Sequence, residues 1–340
     1  MNIKQSKKYF NTITLKMRIL IIKTSSLGDV VHSLPIIEDI KKNYPNSIID
    51  WVTEENYIDI IKMHKGINKA IPVSIRRWRK KIFTIQTWLE ISAFKKTIQS
   101  QHYDCVIDTQ GLFKSGVIAQ LSRSINKCGY DKKSAREPIA SNFYHNCYSI
   151  EQNHHAVERN RMLAGSALNY DIAKGENKYG IHPPHHSYIL GIVNELPEKY
   201  ILGFHGTSHD NKLWDINQWV ELCKKLIVNG YFLVLPWGNK LEKIRAEKIS
   251  KQVGNAYVLP KVGISSLAVI IEKSHAVVGV DTGLLHLAVA LNKPAIGIYI
   301  KTNSAITGLF GEDLKKFKNL GNLLQKITAQ DVLFNLQLIL

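Results

Sequence analysis

Apolar, β-branched runs of four to six residues recur along the chain, separated by longer amphipathic stretches. The run Ile19 to Ile22 is apolar throughout, the pattern of a strand buried on both faces of a parallel sheet. Strands are predicted over 18–23, 47–53, 69–73 and 104–109, with helices over 29–43, 55–63, 83–100 and 112–122. From about 165 to 198 the chain turns loop-like, with Gly175, Gly180, Pro183, Pro184 and clustered histidines, as a domain linker does. The rhythm then restarts. Strands are predicted over 200–204, 231–236, 255–259, 276–280 and 295–299, with helices over 215–229, 239–253, 264–273 and 283–292 and an apolar terminal helix over 328–340. Strands alternating with helices predict an α/β protein with doubly wound parallel sheets, here two Rossmann-like halves facing a central cleft. At 340 residues the chain exceeds one typical core. The expected division is 17–170, a linker over 171–198, 199–325 and a terminal helix over 326–340. Residues 1–16 precede a second methionine, Met17, and read as a loose basic extension or a mis-assigned start.

Composition narrows the classes. Cys105, Cys128, Cys147 and Cys223 lie far apart with no C-x-x-C pair, which indicates neither a zinc site nor a disulfide framework and fits a reducing cytoplasm. No apolar run reaches the roughly 18 residues of a membrane span, and the start lacks the apolar core of a signal peptide. The net charge is +17, unevenly spread: residues 1–170 hold 26 basic and 14 acidic side chains, residues 171–340 hold 19 and 14. A front half this basic suits a polyanion, whether nucleic acid, an anionic lipid head group or a phosphorylated sugar. A lysine-, asparagine- and isoleucine-rich composition equally accounts for the scattered lysines.

Several turns carry candidate chemistry. In the first, Thr24, Ser25, Ser26 and Gly28 follow the opening strand and Asp29 begins a helix. That position, at a strand's carboxyl end, is where such sheets bind ligands, and the positive helix end keeps a carboxylate ionised. Asp29 there is either a general base facing the cleft or, like Ser26, a helix cap. The second-half run Gly279-Val-Asp-Thr-Gly-Leu-Leu-His286 ends a strand in a turn whose exposed N–H groups suit phosphate. Thr282 can cap the helix there, and His286, one turn on, either reaches the same ligand or packs in the core. The turn His205-Gly-Thr-Ser-His-Asp-Asn-Lys212 offers Thr207, Ser208 and a cation at Lys212, and Leu235 to Glu242 ends a strand on the same edge. In the front half, Ile75-Arg-Arg-Trp-Arg-Lys-Lys81 packs five cations around one tryptophan, with Arg136, Arg159 and Arg161 as further arginines and Gln110 in a polar strand-end turn. Phosphate binding and membrane contact would both use them.

Taken together, the segments MRILIIKTSSLGDVVHSLP, DWVTEE, IPVSIRRWRK, YDCVIDTQGLFKS, AREPIAS, HAVER, LPWG and GVDTGLLHLAVAL resemble, in order and spacing, the ADP-heptose-dependent lipopolysaccharide heptosyltransferases from Met17 to about Leu291. The family's second transferase reads Pro-Ser-Trp-Val-Gly-Asp where this chain has Thr24-Ser-Ser-Leu-Gly-Asp29, which favours its first branch. The resemblance implies a GT-B fold with the acceptor on the N-terminal domain and the donor on the C-terminal one, and neither metal nor cofactor. It makes Asp29 the base that deprotonates a Kdo hydroxyl and Lys212 the cation at the donor diphosphate. Thr207, Ser208, Asp281, Thr282, Gly283 and His286 would hold donor phosphates and Glu242 the adenosine. Ser26, Arg76, Arg79, Lys80, Gln110, Arg136 and Arg159 would hold Kdo₂-lipid A. The expected setting is a monomer, peripheral on the anionic cytoplasmic face of the inner membrane, with no nucleic-acid partner. Two other readings stay open: a relative with a different core acceptor, and a non-catalytic basic module that binds lipid or nucleic acid. Ser208 stands where the family favours a second threonine, and the chain beyond about Lys301 matches nothing in the resemblance.

Overall fold

A computed structural model of the chain describes residues 16–173, 175, 177–185, 190–254, 256–321 and 326–340. The first sheet is built from β1 (Arg18–Ile22), β2 (Ile48–Glu54), β3 (Lys69–Val73), β4 (Cys105–Asp108), β5 (Lys127–Tyr130) and β6 (Asn146–Tyr148), in the order β3-β2-β1-β4-β5-β6. The second uses β7 (Tyr200–Phe204), β8 (Phe232–Leu235), β9 (Ala256–Val258), β10 (Ala276–Val280), β11 (Ala295–Ile298) and β12 (Phe317–Leu320), in the order β12-β11-β10-β7-β8-β9. Every pairing between these strands is parallel. Both sheets are therefore doubly wound, and each has one point where the strand order reverses, between β1 and β4 and between β7 and β10. Crevices open beyond the carboxyl ends of such strands.

The apolar runs take the places predicted for them. Along β1, Ile19 and Ile21 pack into one buried layer with Trp51 and Ile107, and Leu20 and Ile22 into the other with Val52 and Val106. One continuous buried cluster runs from Val30 and Val31 to Leu285, Leu287 and Ala288, so the two halves share apolar packing. The predicted helix 29–43 is two pieces, Leu27–Val31 and Pro35–Asn43, because a proline lacks the N–H that a helix interior needs and suits a first turn. The basic run is a short helix, Ile75–Lys80. Strands β5, β6 and β12 are short and carry lysine, asparagine or glycine, which hides their periodicity. A helix at Ala156–Leu168 lies where the sequence predicted none up to the linker. The helix Ala329–Ile339 packs on the helix Ile216–Val228 of the second half and is capped by Thr328 and Asp331. Of the expected extension 1–16, all but Lys16 lies outside the described residues.

Arg161 explains the missed helix and is not a surface arginine. Its Nε and Nη2 donate to both oxygens of Asp39 at 2.7 and 2.8 Å, its Nη1 to Asn177 at 2.9 Å and its Nη2 to the Ala173 carbonyl at 3.1 Å. The buried guanidinium thus ties the helix Ala156–Leu168 to the helix Pro35–Asn43 and to the start of the connecting segment. Asp39→Ala is expected to cost about 3–5 kcal/mol, since it removes the two-pronged carboxylate partner of a buried guanidinium. Urea unfolding should show the paired replacement of Asp39 and Arg161 by methionine losing less than the single change; a single-variant loss under about 1 kcal/mol would contradict the assignment.

Candidate active site

Strand-end turns of both sheets converge beyond the switch points. After β1, the Ser26 N–H and hydroxyl both donate to Asp29 Oδ2, at 2.7 and 2.9 Å. Asp29 thereby ties the start of its own helix, which is a capping interaction. After β4, Asp108 Oδ1 accepts from the N–H groups of Gln110 and Gly111, and Gly111 takes the positive φ of 64° that glycine allows. The Gln110 carbonyl oxygen then accepts from the N–H groups of Thr24 and Ser25, at 3.1 and 3.0 Å, so this side chain holds the first turn in shape. Lys23, buried at the end of β1, donates to the Thr109 carbonyl at 2.7 Å.

These groups set the charge of Asp29. Burial alone pushes its carboxyl up, but the Lys23 ammonium, the two Ser26 hydrogen bonds and the Arg136 guanidinium outweigh it and hold the carboxyl below the usual aspartate value. Arg136 Nη1 stands 3.7 Å from Asp29 Oδ2. For Lys23 burial wins over the attraction of Asp29 and Asp108, and its pKa falls. Asp29, Lys23, Gln110, Arg136 and Arg159 line one cavity of about 320 Å³, which Ile306 and Thr307 of the second half help to close. Arg159 donates to the Ser134 carbonyl at 2.7 Å and lies over the Tyr130 ring, 5.0 Å from its centre.

The other predicted front-half cations lie elsewhere. Arg79 lines a neighbouring cavity, Arg76 lies over the Tyr57 ring at 5.9 Å, and Lys80 is exposed on the same short helix. Arg77 is occupied: it pairs with Glu55 at 3.0 Å and Glu90 at 2.7 Å, pulling the Glu90 carboxyl down to about 2. Trp78 donates to the same Glu90.

Across the cleft, Lys212 Nζ meets Asp281 Oδ2 at 2.7 Å, and the Thr207 hydroxyl donates to the Asp281 carbonyl at 2.8 Å. Ser208 is exposed beside them. Thr282 sits at the helix N-cap in extended conformation, but its side chain makes no capping hydrogen bond, contrary to the expected cap. Glu242 accepts from the Gly238 N–H at 2.6 Å and packs against Gly206. His286 is buried at the junction of the halves, its ring 4.2 Å from that of His32, and burial pushes it down to about 4. His155, 5.5 Å from His32, is stacked on Phe310 and also pushed down to about 4 by burial. Among the described residues, no group of three or more His, Cys, Asp or Glu side chains is placed to hold a metal ion.

Two glycines bring the sides together. A Cβ on Gly283 would stand 2.7 Å from the Gly28 backbone nitrogen, and one on Gly28 would stand 3.4 Å from the Gly283 Cα. The Asp29 turn thus abuts the Asp281-Thr282-Gly283 turn. Sequence reasoning missed Lys23, His32 and His155. Lys23 carried a readable signal, a charged residue closing a fully apolar strand; the two histidines carried none.

The family profile described as glycosyltransferase family 9 (heptosyltransferase) matches residues 91–333. The chain is similar to lipopolysaccharide heptosyltransferase 1 of Escherichia coli O18:K1:H7, 37% identical over 317 residues, covering 93% of this chain and 96% of that one. It is similar to the protein of the same name from Pseudomonas aeruginosa, 39% identical over 298 residues, covering 87% of this chain and 82% of that one. The solved E. coli heptosyltransferase WaaC with ADP superposes with a TM-score of 0.84 at 36% identity, covering 94% of this chain and 99% of that one.

The site generates two expectations. Gly283→Ala forces a methyl into backbone and should lower stability by about 1–3 kcal/mol in denaturant unfolding. Gly191→Ala, with none of the described residues within 4 Å of the added carbon, is the control and should not. A carbon-detected NMR titration should place the Asp29 carboxyl below the unperturbed value of about 3.9, with Arg136→Ala moving it upward. The depressed value means the charged-state contribution to stability is complete above about pH 3.9 and lost as pH falls through the folded midpoint.

Proposed function

This chain belongs to glycosyltransferase family 9, the heptosyltransferases, and we propose that it moves L-glycero-D-manno-heptose from ADP-heptose to the first Kdo of Kdo₂-lipid A, inverting the anomeric centre. Heptosyl transfer in lipopolysaccharide inner-core assembly is its activity; acceptor, residue roles and setting are the reading offered here. The observation that carries it is the abutment of the Asp29 turn on the Asp281-Thr282-Gly283 turn through Gly28 and Gly283. A hydroxyl in the Asp29 cavity and a sugar diphosphate at the second turn would then lie side by side.

In this mechanism Asp29 takes the proton as the Kdo oxygen bonds to the anomeric carbon and the bond from that carbon to the diphosphate breaks. Its low pKa keeps it ionised at neutral pH and makes it a base that acts late, as the attacking hydroxyl becomes acidic. Lys212 leaves Asp281 to stabilise the charge that grows on departing ADP. Thr207, Ser208, Thr282 and the helix start at Gly283 hold the phosphates, His286 packs beneath them, and Glu242 faces the adenosine. Arg136 and Arg159 take acceptor carboxylates beside Asp29, with Ser26 and Gln110 shaping the turn. Arg76, Arg79 and Lys80 take the phosphates further out. No metal or other cofactor takes part.

The setting is the cytoplasmic face of the inner membrane, where the protein lies peripherally as a monomer. Among the described residues no helix is long and apolar enough to cross a membrane. Phe83, Ile85, Trp88 and Leu89 are 99%, 80%, 59% and 60% exposed, next to the cations of Ile75–Lys80. Aromatic and aliphatic side chains beside cations suit an anionic bilayer surface.

The test is transfer from ADP-heptose to Kdo₂-lipid A in EDTA. Wild type should form product, Asp29→Ala should lose about 10²–10⁴-fold in kcat, and Lys212→Ala should lower kcat more than it raises KM. The acid limb of kcat/KM should lie below about pH 3.9, because the carboxyl is held under its ordinary value. Asp29→Ala as active as wild type, or a strict need for added metal, would sink this mechanism; transfer only to a different core acceptor would reassign the substrate.

A further inference from the structure

A second cavity, of about 650 Å³, adjoins the Asp29 cavity, within the range of small-molecule sites. Consecutive residues line the two, Arg136 the first and Glu137 the second. The second cavity is walled chiefly by Val73, Trp78, Ile91, Phe94, Val117 and Leu121, and the one polar group among these six side chains, the Trp78 indole N–H, is taken by Glu90. Charge is confined to Arg79, Lys114 and Glu137. Glu137 is already engaged, accepting from the Phe113 N–H at 2.7 Å. Lys114 Nζ donates to Ser25 Oγ at 3.1 Å, so this cation belongs to the same turn that presents Asp29.

The cavity opens to solvent, and Phe113 of its lining is 49% exposed, so its apolar walls are accessible to a ligand. The helix Ile85–Gln99 that supplies Ile91 and Phe94 to the cavity turns Ile85, Trp88 and Leu89 outward, so the apolar lining continues onto the surface. An occupant must be a hydrocarbon with an anion at one end. A nucleotide or free sugar would leave the apolar walls unmatched, and a cationic peptide would face Arg79 and Lys114.

We propose that this cavity seats one acyl chain of the phosphorylated glycolipid acceptor, with Arg79 and Lys114 on its headgroup anion, so that the chain holds the sugar end at Asp29. The inference rests on the lipid-linked acceptor proposed above. It makes the enzyme a reader of the lipid as well as of the sugar.

Two measurements test it. In the first, kcat/KM is compared on the acylated acceptor in mixed micelles and on the same acceptor with all acyl chains removed. Wild type should favour the acylated form, and Val117→Trp, which fills the cavity, should lower that ratio about tenfold. An unchanged ratio in a folded variant, or a wild type indifferent to acylation, overturns the proposal. In the second, Trp88→Phe protein is titrated with monomeric dodecyl phosphate brominated in its chain, whose bromines quench a tryptophan they touch. Saturable quenching that Val117→Trp abolishes supports the cavity, whereas no quenching, or quenching only by brominated vesicles, overturns it. Quenching without transfer to either acceptor would leave the cavity standing and refute the reaction instead.

Discussion

The contact between Gly28 and Gly283 is the constraint on which the rest depends. Two helix starts, each at the carboxyl end of a strand beside a switch point, meet backbone to backbone with no room for a methyl group. Apolar packing from Val30 to Leu287 holds the halves together around it. Because Asp29 lies one residue after Gly28 and Asp281 two before Gly283, the contact fixes the separation of the carboxylate turn from the lysine-bearing turn. Rigid elements set such distances better than side-chain reach does.

Capping and catalysis, which looked like competing uses for Asp29, are compatible. The hydrogen bonds from Ser26 that close the helix start also stabilise the charged carboxylate. Lys23 adds to that from beneath, at the cost of its own burial. The same residues thus order the turn and keep its carboxylate ionised, and Gln110 keeps the turn from relaxing.

Much of the architecture was legible in the sequence where side-chain pattern and burial coincide. Ile19 to Ile22 and Ala276 to Val280 are apolar because both faces are covered, so their periodicity announced them. Edge strands such as β6 and β12 are half-solvated and only three or four residues long, and local pattern could not separate them from loops. The helix Ala156–Leu168 was hidden for a different reason, since Asn160 and Arg161 interrupt the aliphatics Val157, Leu163 and Leu168 on its inner face. Of the candidate site, the turns were readable from glycine and hydroxyl residues after strands. Which arginine serves the cleft was not: Arg136 and Arg161 look alike in sequence, yet one edges the Asp29 cavity and the other is locked to Asp39. Partners distant in sequence decide that.

In the donor-site role proposed for Lys212, its ion pair with Asp281 bears on selectivity. With its ammonium 2.7 Å from a carboxylate, Lys212 does not stand as a bare cation. Stray chloride or a monoester phosphate must compete with an oxygen already in place and tethered to the same domain. Asp281 therefore sets a threshold: a visiting anion is retained only when it offers Lys212 more than its resident neighbour does, which favours a group bearing several charged oxygens at once.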